Sequence, residues 1–299
     1  MALPNFLIIG AQKAGTTWLA DKLRQHPDIF IPRRELHFFN LKKNFEKGIE
    51  WYEHQFKGAK SGQKIGEKAP NYLWITSEAE NQQARRQQHR ADIHQSLHQY
   101  LPKAKLIVVV RDPVKRATSA INHYRRQGEM SPLWAIDEIL FGQHKSIAER
   151  YGVFDMGRYY HQLQAYYQCF DSSQIMVVVF EENIARNPKR CLQEVCRFIE
   201  IDDTFKFSRV QSKVNAFVDR RVGTALLTHL PPTRPFFTWA TRKRPGIIDR
   251  LDKTPLMGNR MTKQVPSDAV ISQLYRFYTK DNQKLFDLLG HRITEWIPS

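Results

Sequence analysis

Three runs of consecutive apolar residues stand out along the chain, and each has the length of a strand. They cover residues 6–9, 106–110 and 175–180, and the last two consist largely of valine and isoleucine. Apolar runs of about four to eight residues are typical of strands that a parallel sheet buries on both faces. A weaker run near Ile65 predicts one more strand.

The segments between these runs carry helical patterns. The first helix is predicted to begin near Thr16 and to end before Pro27, since the residue preceding a proline disfavours the α conformation. Asp112 and Pro113 supply a helix cap and a first-turn proline for a helix after the second run. Together the predicted helices cover residues 16–26, 77–100, 113–126, 159–170, 189–199 and 267–289.

Strands that alternate with helices predict right-handed βαβ units and a mostly parallel sheet. The predicted fold class is therefore α/β, with a parallel central sheet flanked by helices and a phosphate-binding turn similar to a P-loop. Residues 230–265 are rich in proline, basic and aromatic side chains and are predicted to form irregular surface structure. Because no repeat and no clean linker interrupts the chain, residues 1–299 are expected to form one domain.

The charge of the chain points to an acidic partner. The 299 residues include 46 lysines and arginines against 30 acidic residues, which gives a net charge of +16. Such an excess is typical of proteins that bind a nucleotide, a nucleic acid, an anionic polysaccharide or a lipid head group. Charge alone does not choose among these four partners.

Other features of the sequence argue against several classes of protein. No stretch approaches the roughly 20 apolar residues of a membrane-spanning helix. Cys169, Cys191 and Cys196 lack the spacing of a disulfide framework or a zinc site. The first apolar run begins at residue 6, which leaves no room for a cleavable signal peptide, and a cytoplasmic location is therefore expected.

The turn after the first apolar run has the composition of a phosphate-binding loop. Residues 10–17 read G-A-Q-K-A-G-T-T, and such a turn aims backbone N–H groups and a helix N-terminus at an anion. It resembles the triphosphate motif G-x-x-x-x-G-K-[ST], but Lys13 stands inside the loop and Thr16 follows the second glycine. Lys13 is therefore expected to lie over the first phosphate, and the loop predicts a single 5′-phosphate without magnesium. The alternative is a tight turn whose glycines serve only the backbone.

A second phosphate site is predicted at the end of the second long apolar run. Arg111 follows that strand, where ligands of open α/β sheets bind, and Ser119 lies two helical turns further on with Arg116 between them. An arginine and a serine that face one crevice can hold a phosphate through charge-assisted hydrogen bonds. A surface helix with ordinary capping is the alternative. Together the two sites predict a nucleotide that is phosphorylated at two separate positions.

At this point the sequence resembles a known family, the sulfotransferases that use 3′-phosphoadenosine 5′-phosphosulfate (PAPS). The similarity is to the carbohydrate and heparan-sulfate branch and its bacterial relatives. Residues 10–17 are similar to the family's 5′-phosphosulfate loop, residues 111–119 to its 3′-phosphate motif, and residues 34–39 to its K-E-x-H-F-F segment. Further matching segments follow in the expected order at residues 48–52, 67–72, 180–183 and 288–296. This ordered set is far more specific than one short motif.

The resemblance implies in-line transfer of a sulfuryl group from PAPS to a hydroxyl, with an amine as the alternative, and without a metal. It implies that Glu35 is the general base, and that His37 orients this base or hydrogen-bonds the sulfuryl oxygens. Lys13 would stabilise charge on the bridging oxygen, and Lys68 would contact the sulfuryl group or the acceptor. The alternatives are a solvated loop acid at Glu35, a half-buried structural histidine at His37 and a surface lysine at Lys68.

The resemblance also implies a set of nucleotide-binding residues. Arg220 and Arg221 are included on a loose match, because this chain departs from the family's pattern in its late basic loop. The implied set consists of Lys13, Ala14, Gly15, Thr16, Thr17, Trp18, Arg111, Ser119, Arg220 and Arg221.

The expected partners are a nucleotide donor and an acceptor that is a carbohydrate or glycolipid and possibly acidic. Contact of the basic segment 230–265 with a membrane surface is left open. A P-loop kinase is one alternative function, but it needs a lysine directly after Gly15. A nucleic-acid-binding protein is another, supported by the net charge of +16, but no recognisable nucleic-acid module is present and no nucleic-acid partner is expected.

Overall fold

The centre of the fold is a parallel β-sheet. The structure is a computed structural model that describes residues 3–76, 89–211 and 261–297, together with Trp239 and Arg250. Within these residues the sheet has five strands in the order β2-β3-β1-β4-β5, and every neighbouring pair is parallel. The strands are β1 (Phe6–Gly10), β2 (Ile29–Phe30), β3 (Lys64–Lys68), β4 (Lys105–Val110) and β5 (Ile175–Val179).

Helices connect and cover these strands. Short 3₁₀ turns occur at Asp155–Gly157, Ser172–Gln174 and Thr294–Trp296, and a π-helical segment covers Phe180–Arg186. The α-helices in the described residues are α1 (Thr16–Leu23), α2 (Lys42–Phe45), α3 (Gly48–His54), α4 (Ile93–Tyr100), α5 (Pro113–Gln127), α6 (Ile136–Phe141), α7 (Lys145–Arg150), α8 (Tyr159–Tyr167), α9 (Pro188–Phe198) and α10 (Asp268–Leu289). None of them is both long and apolar enough to cross a membrane.

The strands predicted from the apolar runs are confirmed. All five residues of β1 are buried, and Leu106 through Val110 of β4 are fully inaccessible, as expected for strands covered on both faces. The predicted strand near Ile65 is β3. The two-residue strand β2 was not predicted, because a pair of apolar residues carries no periodicity. The α/β fold class with a parallel sheet and flanking helices is confirmed.

Most predicted helices are confirmed to within a few residues, but one prediction is wrong in part. A polar helix was expected over residues 77–100, but among its described residues only α4 (Ile93–Tyr100) is helical. Residues 77–88 lie outside the described part of the chain. His89 instead forms an isolated antiparallel bridge with Leu41, and the backbone N–H of Arg90 donates to Asn40 O over 2.9 Å. These contacts with a distant segment override the local preference. The prediction for residues 230–265 lies almost entirely outside the described residues.

The chain forms two compact units, each assembled from separate stretches of sequence. The first contains the sheet and consists of Met1–Arg116, Phe154–Val214 and Phe277–Ser299. The second consists of Ala117–Val153 and Asn215–Arg276. Within the second unit, Asn122 and Gln264 exchange two side-chain-to-backbone hydrogen bonds of 2.9 Å each. The expectation of one domain over residues 1–299 stays a prediction.

Candidate active site

Three of the predicted site residues lie at the carboxyl ends of neighbouring strands. β1 leads into the loop that carries Lys13, β3 ends on Lys68, β4 is followed by Arg111, and β5 by Phe180. Because the strands are parallel, these four ends lie at one edge of the sheet. Ligands of open α/β sheets bind outside this edge.

The loop after β1 has the predicted strand–turn–helix geometry. Gly15 adopts φ 107° directly before α1, and a Cβ atom there would lie 2.9 Å from the ring of Phe180. A Cβ atom on Gly10 would lie 2.4 Å from the side chain of Leu73. Both glycines are therefore required by close approach of neighbouring side chains. Lys13, inside the loop, adopts φ 68°, which is uncommon for a residue with a side chain.

A lysine, a carboxylate and an imidazole lie together beside this loop. Lys68 Nζ lies 2.6 Å from Glu35 Oε1 and donates to Thr17 Oγ1, on the first turn of α1, over 3.3 Å. The second carboxylate oxygen, Glu35 Oε2, lies 3.4 Å from His37 Nε2. The side chain of Lys68 is only 9% exposed, so its interpretation as a surface lysine is wrong. The structure thus brings three of the predicted catalytic residues together.

The segment that carries Glu35 and His37 leads into a turn at residues 38–40. His37 has φ 52°, in the left-handed region, and its backbone oxygen accepts from the N–H of Leu41 over 3.3 Å. The side-chain amide of Asn44 donates to Leu36 O over 2.9 Å. The side chains of Glu35 and His37 lie on the same side of the chain, as predicted. The left-handed conformation of His37, and not an extended segment, brings them there.

A buried carboxylate, Glu67, helps to hold the segment of Glu35 and His37 in place through hydrogen bonds. Glu67, which is 1% exposed, accepts hydrogen bonds from Tyr52 over 2.5 Å and from Tyr72 over 2.9 Å. It also accepts from the backbone N–H of Leu36, while the Tyr72 hydroxyl accepts from that of Phe38 over 2.9 Å. Burial raises the pKa of Glu67 from 4.5 to about 7, against the lowering effect of these hydrogen bonds.

Three polar groups form a chain of contacts that starts at His37 Nδ1: the Asn40 amide, the His89 ring and the Trp74 carbonyl. The distance from His37 Nδ1 to Asn40 Oδ1 is 3.2 Å, and the distance from Asn40 Nδ2 to His89 Nδ1 is 3.5 Å. His89 Nε2 lies 2.8 Å from the carbonyl oxygen of Trp74, and its ring packs on the indole with centroids 4.4 Å apart. Burial lowers the pKa of His89 from 6.5 to about 4, so this ring is neutral at physiological pH.

Arg111, which follows β4, contacts the loop after β1. Its Nη1 donates to Lys13 O over 3.1 Å, and its guanidinium carbon lies 5.0 Å from the ring centroid of Phe180. The Tyr159 hydroxyl donates to Arg111 O over 2.6 Å. Arg111 Nε is buried without a hydrogen-bond partner among the described residues. A buried cationic donor of this kind can bind an anion.

The remaining predicted residues are less completely placed. Asp112 caps α5 as predicted, since its Oδ1 accepts from the N–H of Val114 over 2.9 Å. Ser119 is half-buried on α5 and belongs to the second unit. Trp18 is buried and donates to Val210 O over 3.2 Å. Arg220 and Arg221 lie outside the described residues.

Sequence reasoning did not assign a role to three residues at this site. Glu67 falls in a segment that matched the family, but only burial identifies it as an unusual carboxylate. Asn40 stands three residues after His37, which is a weak signal for a side-chain partner. His89 lies in a polar segment that had been interpreted as helix, and no feature of the sequence relates it to the site.

The fold and this site define an α/β protein with a phosphate-type loop and a carboxylate–lysine–histidine cluster beside it. Comparison with known proteins identifies the class: the model of the sulfotransferase domain matches residues 3–220. The chain therefore belongs to the sulfotransferase family, and the resemblance predicted from its motifs is confirmed.

Three relatives illustrate the extent of the similarity. The chain is 31% identical over 292 residues to the mouse heparan sulfate glucosamine 3-O-sulfotransferase 3B1, covering 96% of this chain and 64% of that protein. It is 25% identical over 320 residues to the mouse bifunctional heparan sulfate N-deacetylase/N-sulfotransferase 4, covering 99% of this chain and 31% of that protein. A sulfotransferase structure from Alicyclobacillus acidocaldarius shares the fold with a TM-score of 0.65 at 22% identity, over 99% of both chains. The chain thus spans less than two thirds of the length of these two mouse relatives.

Proposed function

We propose that this protein transfers the sulfuryl group of PAPS to a hydroxyl of a carbohydrate or glycolipid acceptor, with an amine as the alternative. One observation carries the proposal: Glu35 is placed at the phosphate-type loop through Lys68, which contacts both Glu35 Oε1 and Thr17 Oγ1. This arrangement sets a carboxylate base, a cation and an anion-binding helix terminus side by side. These are the groups that in-line sulfuryl transfer requires.

The nucleotide donor supplies the activated sulfuryl group, and the loop after β1 fits its 5′-phosphate end. The backbone of residues 13–18 would bind this phosphate, with Lys13 as the cation. The close packing of Gly15 against Phe180 supports this assignment. We assign the 3′-phosphate to Arg111 and Ser119, with Arg220 or Arg221 as additional contacts.

The catalytic roles follow from the geometry of the cluster. Glu35 takes the proton of the attacking hydroxyl, a contribution of about 10²–10⁴-fold in typical enzymes. Lys68 and Lys13 stabilise the sulfuryl oxygens and the departing phosphate oxygen as the sulfur–oxygen bond breaks. A sulfuryl group carries less charge than a phosphoryl group, so we propose that side-chain cations suffice and that no metal takes part.

The acceptor is proposed to be an anionic or neutral sugar. The two mouse relatives are named for heparan sulfate, which is an anionic polysaccharide. In this chain the exposed Arg33 and Arg34 directly precede Glu35, and the net charge is +16. Both features favour an acidic acceptor over a phenol or a steroid alcohol. We keep a cytoplasmic location and the absence of a nucleic-acid partner as predictions.

Calorimetric titration with adenosine 3′,5′-bisphosphate tests the proposal. We expect micromolar affinity, which corresponds to roughly −8 kcal/mol, together with weaker binding of 5′-AMP and of ATP with magnesium. Arg111→Ala should abolish the preference for the 3′-phosphate, whereas Arg33→Ala, which removes an exposed arginine outside the loop, is the matched control. Equal or tighter binding of ATP with magnesium would overturn the proposal in favour of a kinase.

A further inference from the structure

His37 lies between two oxygen acceptors, one of which is held in place by a distant buried histidine. Glu35 Oε2 lies 3.4 Å from its Nε2, and Asn40 Oδ1 lies 3.2 Å from its Nδ1. An imidazole has a proton on both nitrogens only when it is an imidazolium. A neutral ring that donates from Nδ1 to Asn40 Oδ1 has its lone pair on Nε2, facing Glu35, and can take up a second proton only there.

The orientation of the Asn40 amide decides whether this second acceptor exists. The carbonyl oxygen of Trp74 can only accept, so His89 Nε2, 2.8 Å away, carries the proton. Because His89 is buried and neutral, its Nδ1 is a lone pair, and the group that faces it across 3.5 Å must be the NH₂ of Asn40. The amide oxygen is thereby directed at His37. A rotated amide would set an oxygen against the lone pair of His89 and an NH₂ group against His37.

The backbone keeps these side chains in register. Leu41 and His89 form an antiparallel bridge, and the N–H of Arg90 donates to Asn40 O over 2.9 Å. Asn40 is 1% exposed and His89 is 5% exposed, so water has little access to either side chain. The orientation of the amide is thus a property of the folded chain.

We infer that His89 and Asn40 are positioning residues that make His37 the acceptor of the proton removed by Glu35. The inference rests on the proposed function. The acceptor O–H bond breaks and its proton passes to Glu35 Oε2 and then to His37 Nε2. The acceptor oxygen bonds to sulfur, and the electron pair of the broken sulfur–oxygen bond leaves on the 5′-phosphate of the nucleotide. His37, whose side chain is 27% exposed, then releases the proton to solvent.

Other charged groups near the pair act on Glu35. Lys68 lies 2.6 Å from its far oxygen, and the Glu67 carboxylate interacts with it electrostatically. Near His37 itself, Glu35 Oε2 lies 3.4 Å from its Nε2, and His89 interacts with it electrostatically across Asn40. Variants at positions 40 and 89 therefore change the proton affinity of His37 without removing any group that contacts substrate.

Two substitutions are expected to move this affinity in opposite directions. His89→Phe keeps a ring on Trp74 but removes the lone pair that orients Asn40, so the amide can rotate and the imidazolium loses an acceptor. The midpoint of the His37 titration should fall by about half to one pH unit. Asn40→Asp places a negative charge at Nδ1, and the midpoint should rise by about one pH unit. His98→Phe, which replaces an exposed ring on α4, is the control and should change nothing.

The experiment measures the midpoint twice in the full chain. Proton NMR follows the His37 ring signal against pH without substrate, with the signal assigned through His37→Gln. The pH profile of kcat/KM for sulfuryl transfer should lose activity on its acid side with the same midpoint, shifted in the same directions. The inference is overturned if the NMR midpoint is equal in the three proteins, if it moves the same way in both variants, or if the kinetic midpoint does not follow it. Because the NMR titration needs no turnover, failure of the proposed function itself is seen separately, as a wild-type protein without transferase activity. If His89→Phe does not fold, Asn40→Asp is compared with wild type alone. The inference is then overturned if the NMR midpoint of His37 does not rise in Asn40→Asp, or if the kinetic midpoint does not follow it.

Discussion

Replacement of Glu67 by glutamine should change how the stability of this protein depends on pH. Burial raises the pKa of Glu67 from 4.5 to about 7, so the folded chain binds this proton more tightly than the unfolded chain. The resulting contribution to stability is fully present below pH 4.5 and is lost as the pH rises through 7. An increase from 4.5 to about 7 corresponds to about 3 kcal/mol in the free energy of unfolding.

The wild-type profile alone does not reveal this effect, because His89 acts in the opposite direction. Its pKa falls from 6.5 to about 4 on burial, so its contribution is present above pH 6.5 and is lost as the pH falls through 4. Between about pH 4.5 and 6.5 the two contributions offset each other. The difference between variant and wild type removes the His89 contribution, which is common to both proteins.

Urea denaturation followed by tryptophan fluorescence at constant ionic strength provides the measurement. The free energy of unfolding of Glu67→Gln minus that of wild type should rise by about 3 kcal/mol from pH 4.5 to 7.5. Glu46→Gln makes the same chemical change at an exposed carboxylate directly after α2 and is the matched control. A difference for Glu67→Gln that is constant across this range would refute the reasoning, because Glu67 would then titrate alike in the folded and unfolded chains.

Three further predictions concern the site and the core. Glu35→Gln should lower kcat by about 10²-fold or more while the calorimetric affinity for adenosine 3′,5′-bisphosphate is kept; equal loss of both would make Glu35 structural. Gly15→Ala forces a Cβ atom to 2.9 Å from Phe180 at φ 107°, and the same titration should show at least about tenfold weaker binding; unchanged affinity would show that the loop tolerates a side chain. Trp296→Ala removes a 2% exposed indole that donates to Glu181 over 3.0 Å. Urea denaturation should show that the free energy of unfolding falls by about 3–5 kcal/mol. A fall of less than about 1 kcal/mol would mean that the surrounding side chains fill the space left by the ring.

The sequence by itself determined the parts of this protein that depend on short stretches of chain. The runs at residues 106–110 and 175–180 have the length and apolar composition of strands in a parallel sheet, and they form β4 and, up to Val179, β5. Asp112 and Pro113 mark the start of α5 through local capping and a restricted backbone. The glycines at positions 10 and 15 mark a loop in which neighbouring side chains leave no room for a Cβ atom. Motif order along the chain was enough to recognise the family.

Only the tertiary structure decided which polar side chains meet. Lys68 lies 33 positions from Glu35, and their contact at 2.6 Å joins β3 to the segment that follows β2, which pairs with β3 in parallel. The proximity of His89 to Asn40, 49 positions apart, depends on a single bridge that local propensity opposes. The raised pKa of Glu67 reflects its burial, which is set by packing around it. Hydrophobic periodicity is a local property of a sequence, whereas proximity and burial of charged groups arise from contacts between segments far apart in the chain, and these shape the proposed chemistry of this site.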